Sequence, residues 1–428
     1  MLSRVRSALG PVRVSYRSLS TSKPAQITAQ EVYDKEAKYG ATNYAPLPVV
    51  LAKGEGVYAW DVEGKKYYDF LSGFSVLNQG HRHPKIVKAL KDQVDKLTLV
   101  SRAFYSDSLA DFEEYATKLF GYSRILPMNT GVEAADLSIK LARRWAYEVK
   151  GVPRYKAKII FAAGNFWGRS IAALSASTDP DCYGGYGPYV PNFINIPFDD
   201  LRALERFSDD PDVAAFMVEP IQGENGAVVP QEGYLRGVRE ICNKNKILFI
   251  ADEIQTGLGR TGKWLACQHE GVRPDIVTLG KALSGGMFAI SAVLADDEVM
   301  LSIKPGQHGS TFGGSPLAAK VAIASLKVIE EEKLCENAEK MGKVLFSELS
   351  SLDPNIVPVV RGKGLLGCLV VRPQGKINAW NICLKLRDNG VLAKPIRGEM
   401  IRIAPPLIIT KEQLIEATTI IKKTIHSM

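Results

Sequence analysis

Two acids and one amine stand at positions where chemistry is done. Asp252 and Glu253 follow the apolar run Ile247 to Ala251, and Lys281 follows a second run, Ile276 to Leu279, 29 residues beyond Asp252. Short continuous apolar runs read as strands buried on both faces. Open α/β sheets bind their ligands at the carboxyl ends of such strands. A carboxylate buried there can keep a ring nitrogen protonated. A lysine partly desolvated between Gly280 and Ala282-Leu283-Ser284-Gly285-Gly286 offers a nucleophilic amine. An acid for one end of a planar ring and an imine-forming amine for the other is what pyridoxal phosphate requires. Singly, each residue has a plainer use, as a helix cap or a solvated charge.

The elements that must position this pair alternate. Strands are expected at Lys158 to Ala162, Phe193 to Ile196, Ala214 to Val218, Ile247 to Ala251, Ile276 to Leu279 and Ile290 to Leu294, with helical stretches between several of them. That pattern predicts a largely parallel sheet covered on both faces. Leu126-Pro-Met-Asn-Thr-Gly-Val-Glu leads into a helix reaching about Tyr147. Thr130 and Glu133 have capping-box spacing, and the free amides of Gly131 and Val132 can cradle a phosphate, a plain capped helix being the alternative. Phe166 can stack on a planar ring and Arg169 can fork onto a carboxylate. Ser310 and Thr311 offer hydroxyls from a small-residue loop, and Glu219 and Glu224 bring acids to another strand end. His81 and His83 read as turn and helix-entry residues before Pro84. Gly257-Leu-Gly259-Arg-Thr-Gly262 matches a dinucleotide fingerprint, but Asp252 to Thr256 separate it from its strand, so it reads as a flexible loop.

Composition excludes other classes. The charged fraction of 23% and apolar fraction of 46% are those of a soluble globular chain, and no apolar run is long enough for a membrane span. Six scattered cysteines without metal-ligand spacing suit a reducing compartment. Arg4, Arg6, Arg13, Arg17 and Lys23 lie among serines, and the first acid is Glu31. An Arg- and Ser-rich start without acids is the signature of a mitochondrial transit peptide, expected over residues 1–25. Its loss would take the net charge from +8 to about +3, so the basic balance is no argument for nucleic acid.

From about Ala41 to the C-terminus the chain resembles the class III (ω-amino) aminotransferases, pyridoxal 5'-phosphate enzymes of fold type I. The motifs that carry the resemblance are Asn78-Gln-Gly-His81, Pro127-Met-Asn-Thr-Gly-Val-Glu-Ala134, Phe161-Ala-Ala-Gly-Asn-Phe-Trp-Gly-Arg169, Val218-Glu-Pro-Ile-Gln-Gly-Glu224, Ala251-Asp-Glu-Ile-Gln-Thr-Gly257 and Gly280-Lys-Ala-Leu-Ser-Gly-Gly286. The resemblance implies an α/β fold. A large domain with a mostly parallel sheet (75–323) and a smaller α+β domain (324–428), which a segment at 26–74 joins, would assemble as a homodimer or higher homo-oligomer. It implies that Lys281 binds the cofactor covalently and shuttles a proton, and that Asp252 pairs with the ring nitrogen. Gln255 would meet the ring hydroxyl, Phe166 the ring face, Gly131 and Val132 the phosphate, with Thr311 reaching it from the partner subunit. Tyr44 and Arg169 would receive the α-end of L-ornithine. Glu224 would mask Arg402 until 2-oxoglutarate needs it. The implied reaction moves the δ-amino group of L-ornithine to 2-oxoglutarate, giving glutamate 5-semialdehyde and glutamate in the mitochondrial matrix. N-acetylornithine and 4-aminobutyrate are the alternative donors. Two departures touch the substrate side: Phe74 stands where such enzymes carry tyrosine, and Met287-Phe288-Ala289-Ile290 replaces a stretch with a Tyr-Pro pair.

Overall fold

Alternating side chains of the apolar runs divide between two faces of one sheet. Ile159, Phe161, Ala215, Met217, Leu248 and Ile250 pack with one set of helical residues, and Ile160, Ala162, Phe216, Val218, Phe249 and Ala251 with another. That is the period of two expected of strands covered on both sides. The computed structural model describes residues 27–428, so the expected transit segment lies outside the described residues. The chain divides into a unit ending at Tyr44 and a unit from Ala45 to Met428. In the first, Ala29–Tyr39 is helical, and Thr28 and Glu31 form a reciprocal capping box at its start.

The second unit holds a seven-stranded sheet in the order Arg124–Met128, Ser291–Ala295, Ile276–Leu279, Leu248–Asp252, Val213–Val218, Lys158–Ala162, Phe193–Ile196. Its pairs are parallel except those of Ser291–Ala295, which runs antiparallel to both neighbours. Arg124–Met128 is an edge strand, where Pro127 is tolerated because one side of the ladder is open. The helix Gly131–Trp145 covers one face with Ala134, Ala135, Leu137, Leu141, Ala142 and Trp145. Tyr234–Lys244 covers the other with Tyr234, Leu235, Val238 and Cys242.

Towards the C-terminus a second sheet, all antiparallel, orders Val359–Lys363, Leu366–Val370, Met400–Ile403 and Lys394–Ile396. A third sheet joins Leu51–Glu55, Tyr58–Asp61 and Lys66–Asp69 to Val391–Leu392, so residues 51–69 are tied to the C-terminal part. The expected boundary at 323/324 falls inside the helix Pro316–Glu331. Among the described residues no helix is long and apolar enough to cross a membrane.

Candidate active site

The carboxyl ends of three neighbouring strands converge on one cavity of 250 Å³. It is lined by Gly131, Val132, Phe166, Trp167, Gly168, Glu219, Asp252, Ile254, Gln255 and Lys281. Asp252 ends its strand with a carboxylate 4% exposed, accepting from the Ile254 amide at 3.0 Å and the Thr278 hydroxyl at 3.1 Å. Burial raises its pKa above the ordinary carboxylate value, against those two donors and the charge of Lys281. Lys281 opens a short 3₁₀ turn, Lys281–Ser284, with its own φ at +43°. Burial lowers the pKa of its amine and Arg402 adds to this, while Glu224, Asp252 and Glu219 pull the other way. A lysine held in that state is a better nucleophile at neutral pH than one in solvent.

Glu219, at the end of Val213–Val218, lies in the same cavity. Its carboxyl is pushed up to about 8 because burial and the Asp252 charge outweigh the backbone amides of Gly223 and Phe166, each donating at 3.0 Å. The cavity floor is the start of Gly131–Trp145. Glu133 and Ala134 turn their amides back to the Thr130 carbonyl, and the Glu133 carboxylate accepts from the amides of Asn129 and Thr130. The amides of Gly131 and Val132 are left at the positive end of the helix. Gly168, at φ +141°, passes so close that a Cβ there would stand 2.4 Å from Val132 Cγ2. A Cβ on Gly131 would meet Ile254 Cδ1 at 3.0 Å.

A polar cluster adjoins the cavity through Gln255. The Gln255 amide nitrogen donates to Glu224 Oε1 at 3.0 Å, and its oxygen accepts from Arg402 Nη1 at 2.6 Å. Arg402, fully buried on Met400–Ile403, also donates from Nη2 to the Gly223 carbonyl at 2.6 Å and to Glu224 at 3.3 Å. Burial alone would raise the Glu224 carboxyl, but Arg402, Lys281, Gln255 and Arg397 together hold it below the usual range.

Eight of the twelve expected site residues thus come together: Gly131, Val132, Phe166, Asp252, Gln255 and Lys281 around the cavity, Glu224 and Arg402 beside it. Arg169 is exposed and lays its guanidinium over the Phe166 ring at 5.5 Å, so in this structure its planar partner is an aromatic face. Thr311 is exposed on a loop whose Ser310 bonds Asn129 instead. Tyr44 belongs to the N-terminal unit and is 78% exposed. Phe74, half-buried, sits in the left-handed turn Ser72–Ser75, away from the cavity lining. His81 pairs with Asp69 and His83 with Glu332, and Pro84 opens its helix as expected. The expectation of a flexible glycine loop at 257–262 is corrected, because all six residues are buried around the Arg260 side chain. Trp167, Gly168, Ile254, Thr278 and the Gly223 carbonyl were not expected in the site. Only Gly168 carried a signal, a glycine directly after two aromatics at a strand end.

The donor set suits pyridoxal phosphate. The cavity offers an amine, a buried acid, an aromatic face and a helix start that Gly168 approaches so closely that a side chain there would collide with Val132. Trp167 Nε1 and Arg402 Nε are buried donors without a partner among the described residues, consistent with a site that takes anionic groups.

Comparison with known proteins agrees with this geometry. Residues 39–425 match the family profile described as aminotransferase class-III. A curated relative from Rattus norvegicus, named ornithine aminotransferase, mitochondrial, is 59% identical over 425 residues, 99% of this chain and 97% of its own length. The ornithine aminotransferase of Toxoplasma gondii, crystallised with partial occupancy of PLP, superposes with a TM-score of 0.92. It is 46% identical and covers 94% of this chain and 95% of its own. A structure named acetylornithine aminotransferase, from Elizabethkingia anophelis, gives 0.86 at 51% identity, covering 94% and 99%.

Proposed function

This chain belongs to the class-III aminotransferases, and we propose on that premise that it moves the δ-amino group of L-ornithine to 2-oxoglutarate, giving glutamate 5-semialdehyde and glutamate. It is a pyridoxal-phosphate enzyme with the fold of that family. The observation that carries the substrate pair is the Arg402–Glu224–Gln255 cluster beside Lys281. An enzyme that takes a cation-ended amino acid and then a dicarboxylate needs an arginine whose counter-charge can be withdrawn.

Lys281 would hold the cofactor covalently, Asp252 would keep a proton on its ring nitrogen, and Gly131 and Val132 would donate amides to its phosphate. Phe166 would cover one ring face and Gln255 would meet the ring hydroxyl. When bound, the cofactor supplies a ring that takes up the electron pair left as a substrate carbon loses its proton. Lys281 Nζ, its pKa lowered by burial, is the group that would accept that proton and return it. Arg169, exposed beside Phe166, and Tyr44 would receive the α-carboxylate and α-amino group of ornithine, with Phe74 expected on the same substrate side. Ile254, Phe166 and Trp167 line the cavity with apolar surface that would limit water there.

The exposed position of Thr311 fits a role in a second subunit's site, and we take the assembly to be a homodimer or larger. Localisation in the mitochondrial matrix is supported by the basic, acid-free first thirty residues and by relatives named mitochondrial. The tie of the 26–74 segment to the smaller domain is supported by the pairing of Lys66–Asp69 with Val391–Leu392, while the boundary between 75–323 and 324–428 falls within the helix Pro316–Glu331. A donor panel on the purified holoenzyme tests the reading. L-ornithine should exceed N-acetylornithine and 4-aminobutyrate in kcat/KM by at least tenfold, and a lead for either rival overturns it.

A further inference from the structure

If Glu224 releases Arg402 in the second half-reaction, a carboxylate 19% exposed must find another partner. Its backbone cannot carry it far. The loop is pinned on both sides: Gln222 Nε2 donates to the Ala163 carbonyl at 2.7 Å and Asn225 Nδ2 to Gln222 Oε1 at 2.8 Å. Arg361 Nε donates to the Gly226 carbonyl at 2.7 Å, and its Nη2 to the Asn225 carbonyl at 3.2 Å. Only the Glu224 side chain is free to turn, so its new partner must already be within reach. Arg361 has committed its guanidinium to those carbonyls and to Met400 Sδ.

Arg397 remains. It lies in the turn between Lys394–Ile396 and Met400–Ile403, five residues before Arg402. Its Nη1 donates to Asn225 Oδ1, the neutral neighbour of Glu224, at 3.0 Å. Its one ion pair among the described residues, to Asp179, is loose at 3.7 Å, and Asp179 also accepts from the Asp181 amide and the Cys182 thiol. Its charge acts on Glu224 already, being among the influences that hold that carboxyl ionised. We propose that Arg397 is the second cation of the switch, a positioning residue that takes the Glu224 carboxylate when Arg402 turns to the dicarboxylate. The inference rests on the ornithine and 2-oxoglutarate reading above.

Such a residue acts on one half of the cycle. With ornithine, Glu224 stays on Arg402 and Arg397 has no part in substrate binding. With 2-oxoglutarate, loss of Arg397 would leave a displaced carboxylate uncompensated in a partly buried place, which is strongly unfavourable. Arg397→Gln keeps a hydrogen-bonding chain and is no better suited than arginine to the φ of +36° at this position, so it removes the charge without changing the backbone constraint.

The test is single-turnover kinetics of the two half-reactions on the holoenzyme, with calorimetric affinity for glutarate, a dicarboxylate that cannot react. Arg397→Gln should lower the 2-oxoglutarate rate constant and the glutarate affinity at least tenfold, and the ornithine half-reaction less than threefold. Arg397→Lys should restore most of both losses. Equal losses in the two halves would make Arg397 merely structural and overturn the proposal, as would unchanged glutarate binding in a folded Arg397→Gln protein. If instead the wild type fails to use ornithine, the underlying reading fails first. If wild type and Glu224→Ala behave as that reading requires while Arg397→Gln changes nothing, this inference alone falls.

Discussion

Glu224→Ala removes the one carboxylate on Arg402 and leaves that arginine otherwise held. The Gln255 oxygen and the Gly223 carbonyl, both at 2.6 Å, still fix the guanidinium in place, so the change exposes a positioned cation and does not set a side chain loose. The charge pair spans 3.3 Å. At an effective dielectric constant of about 20, charges at that separation attract by about 5 kcal/mol before desolvation is subtracted. Close charge pairs measured by double-mutant cycles retain roughly 1.5–7 kcal/mol. Glu224 is partly exposed and its contact is longer than an ideal charge-assisted bond, which puts this pair at the lower end, about 1.5–3 kcal/mol. An incoming second carboxylate then competes with no resident anion, and glutamate gains relative to ornithine by roughly 10- to 150-fold. The assay is kcat/KM for L-glutamate and L-ornithine as amino donors, wild type against variant. A ratio that moves less than threefold, or a rise shared equally by ornithine, refutes the masking argument.

Two further substitutions probe the cavity itself. Asp252→Asn keeps an acceptor for the Ile254 amide and the Thr278 hydroxyl but loses the charge, so single-turnover proton abstraction should fall at least about 100-fold. Because burial raises the Asp252 pKa, ionising it weakens the folded state as pH rises above the unfolded carboxylate value. The cofactor-free variant should therefore unfold no earlier than wild type at pH 8, and a large fall in melting temperature would contradict this. Gly223→Ala places a Cβ 1.9 Å from Gln255 Oε1, which forces that side chain off Arg402. Losing such a bond to a charged group removes about 1.5–3 kcal/mol, so kcat/KM for both substrates should drop tenfold or more, and unchanged kinetics would show that Gln255 has room the structure does not show.

The sheet was legible where strands are predominantly apolar. Lys158–Ala162, Phe193–Ile196 and Ile276–Leu279 fall where expected, and the neighbouring strands shift by one residue. Burial on both faces writes a short run dominated by apolar residues, bounded by turn residues. Arg124–Met128 was not legible, because a proline in five residues argues against a strand unless the strand is known to lie at an edge. Lys394–Ile396 and Val359–Lys363 are short and half-exposed, and their apolar content is too thin to stand out. In the site, Asp252 and Lys281 declare themselves through position at strand ends. The bonds that set their surroundings join residues as far apart as Gly223 and Arg402, and one of the two partners is a backbone carbonyl with no sequence signature at all.

The glycine loop at 257–262 shows why pattern alone misleads. Glycines at close spacing mark either a phosphate cradle or a place where backbones touch. Here they mark contact: a Cβ on Gly259 would stand 3.0 Å from Leu407 Cδ1, one on Gly262 3.1 Å from Glu339 Cβ, and one on the facing Gly364 2.4 Å from the Thr261 backbone. The object enclosed is Arg260, fully buried without a carboxylate partner among the described residues, its pKa lowered to about 9 by burial and by the charge of Arg402. Its donors reach Asn78 Oδ1 at 2.6 Å, the Leu365 carbonyl at 2.9 Å and the Pro405 carbonyl at 2.6 Å. Leu365 precedes the strand Leu366–Val370, and Pro405 lies two residues after the strand that carries Arg402. The loop that resembled a dinucleotide site therefore ties the chain after Asp252 to the strand pair bearing Arg402. Packing around a buried cation thus fixes where the strand carrying Arg402 stands relative to Asp252, which is why the loop is glycine-rich and is not flexible.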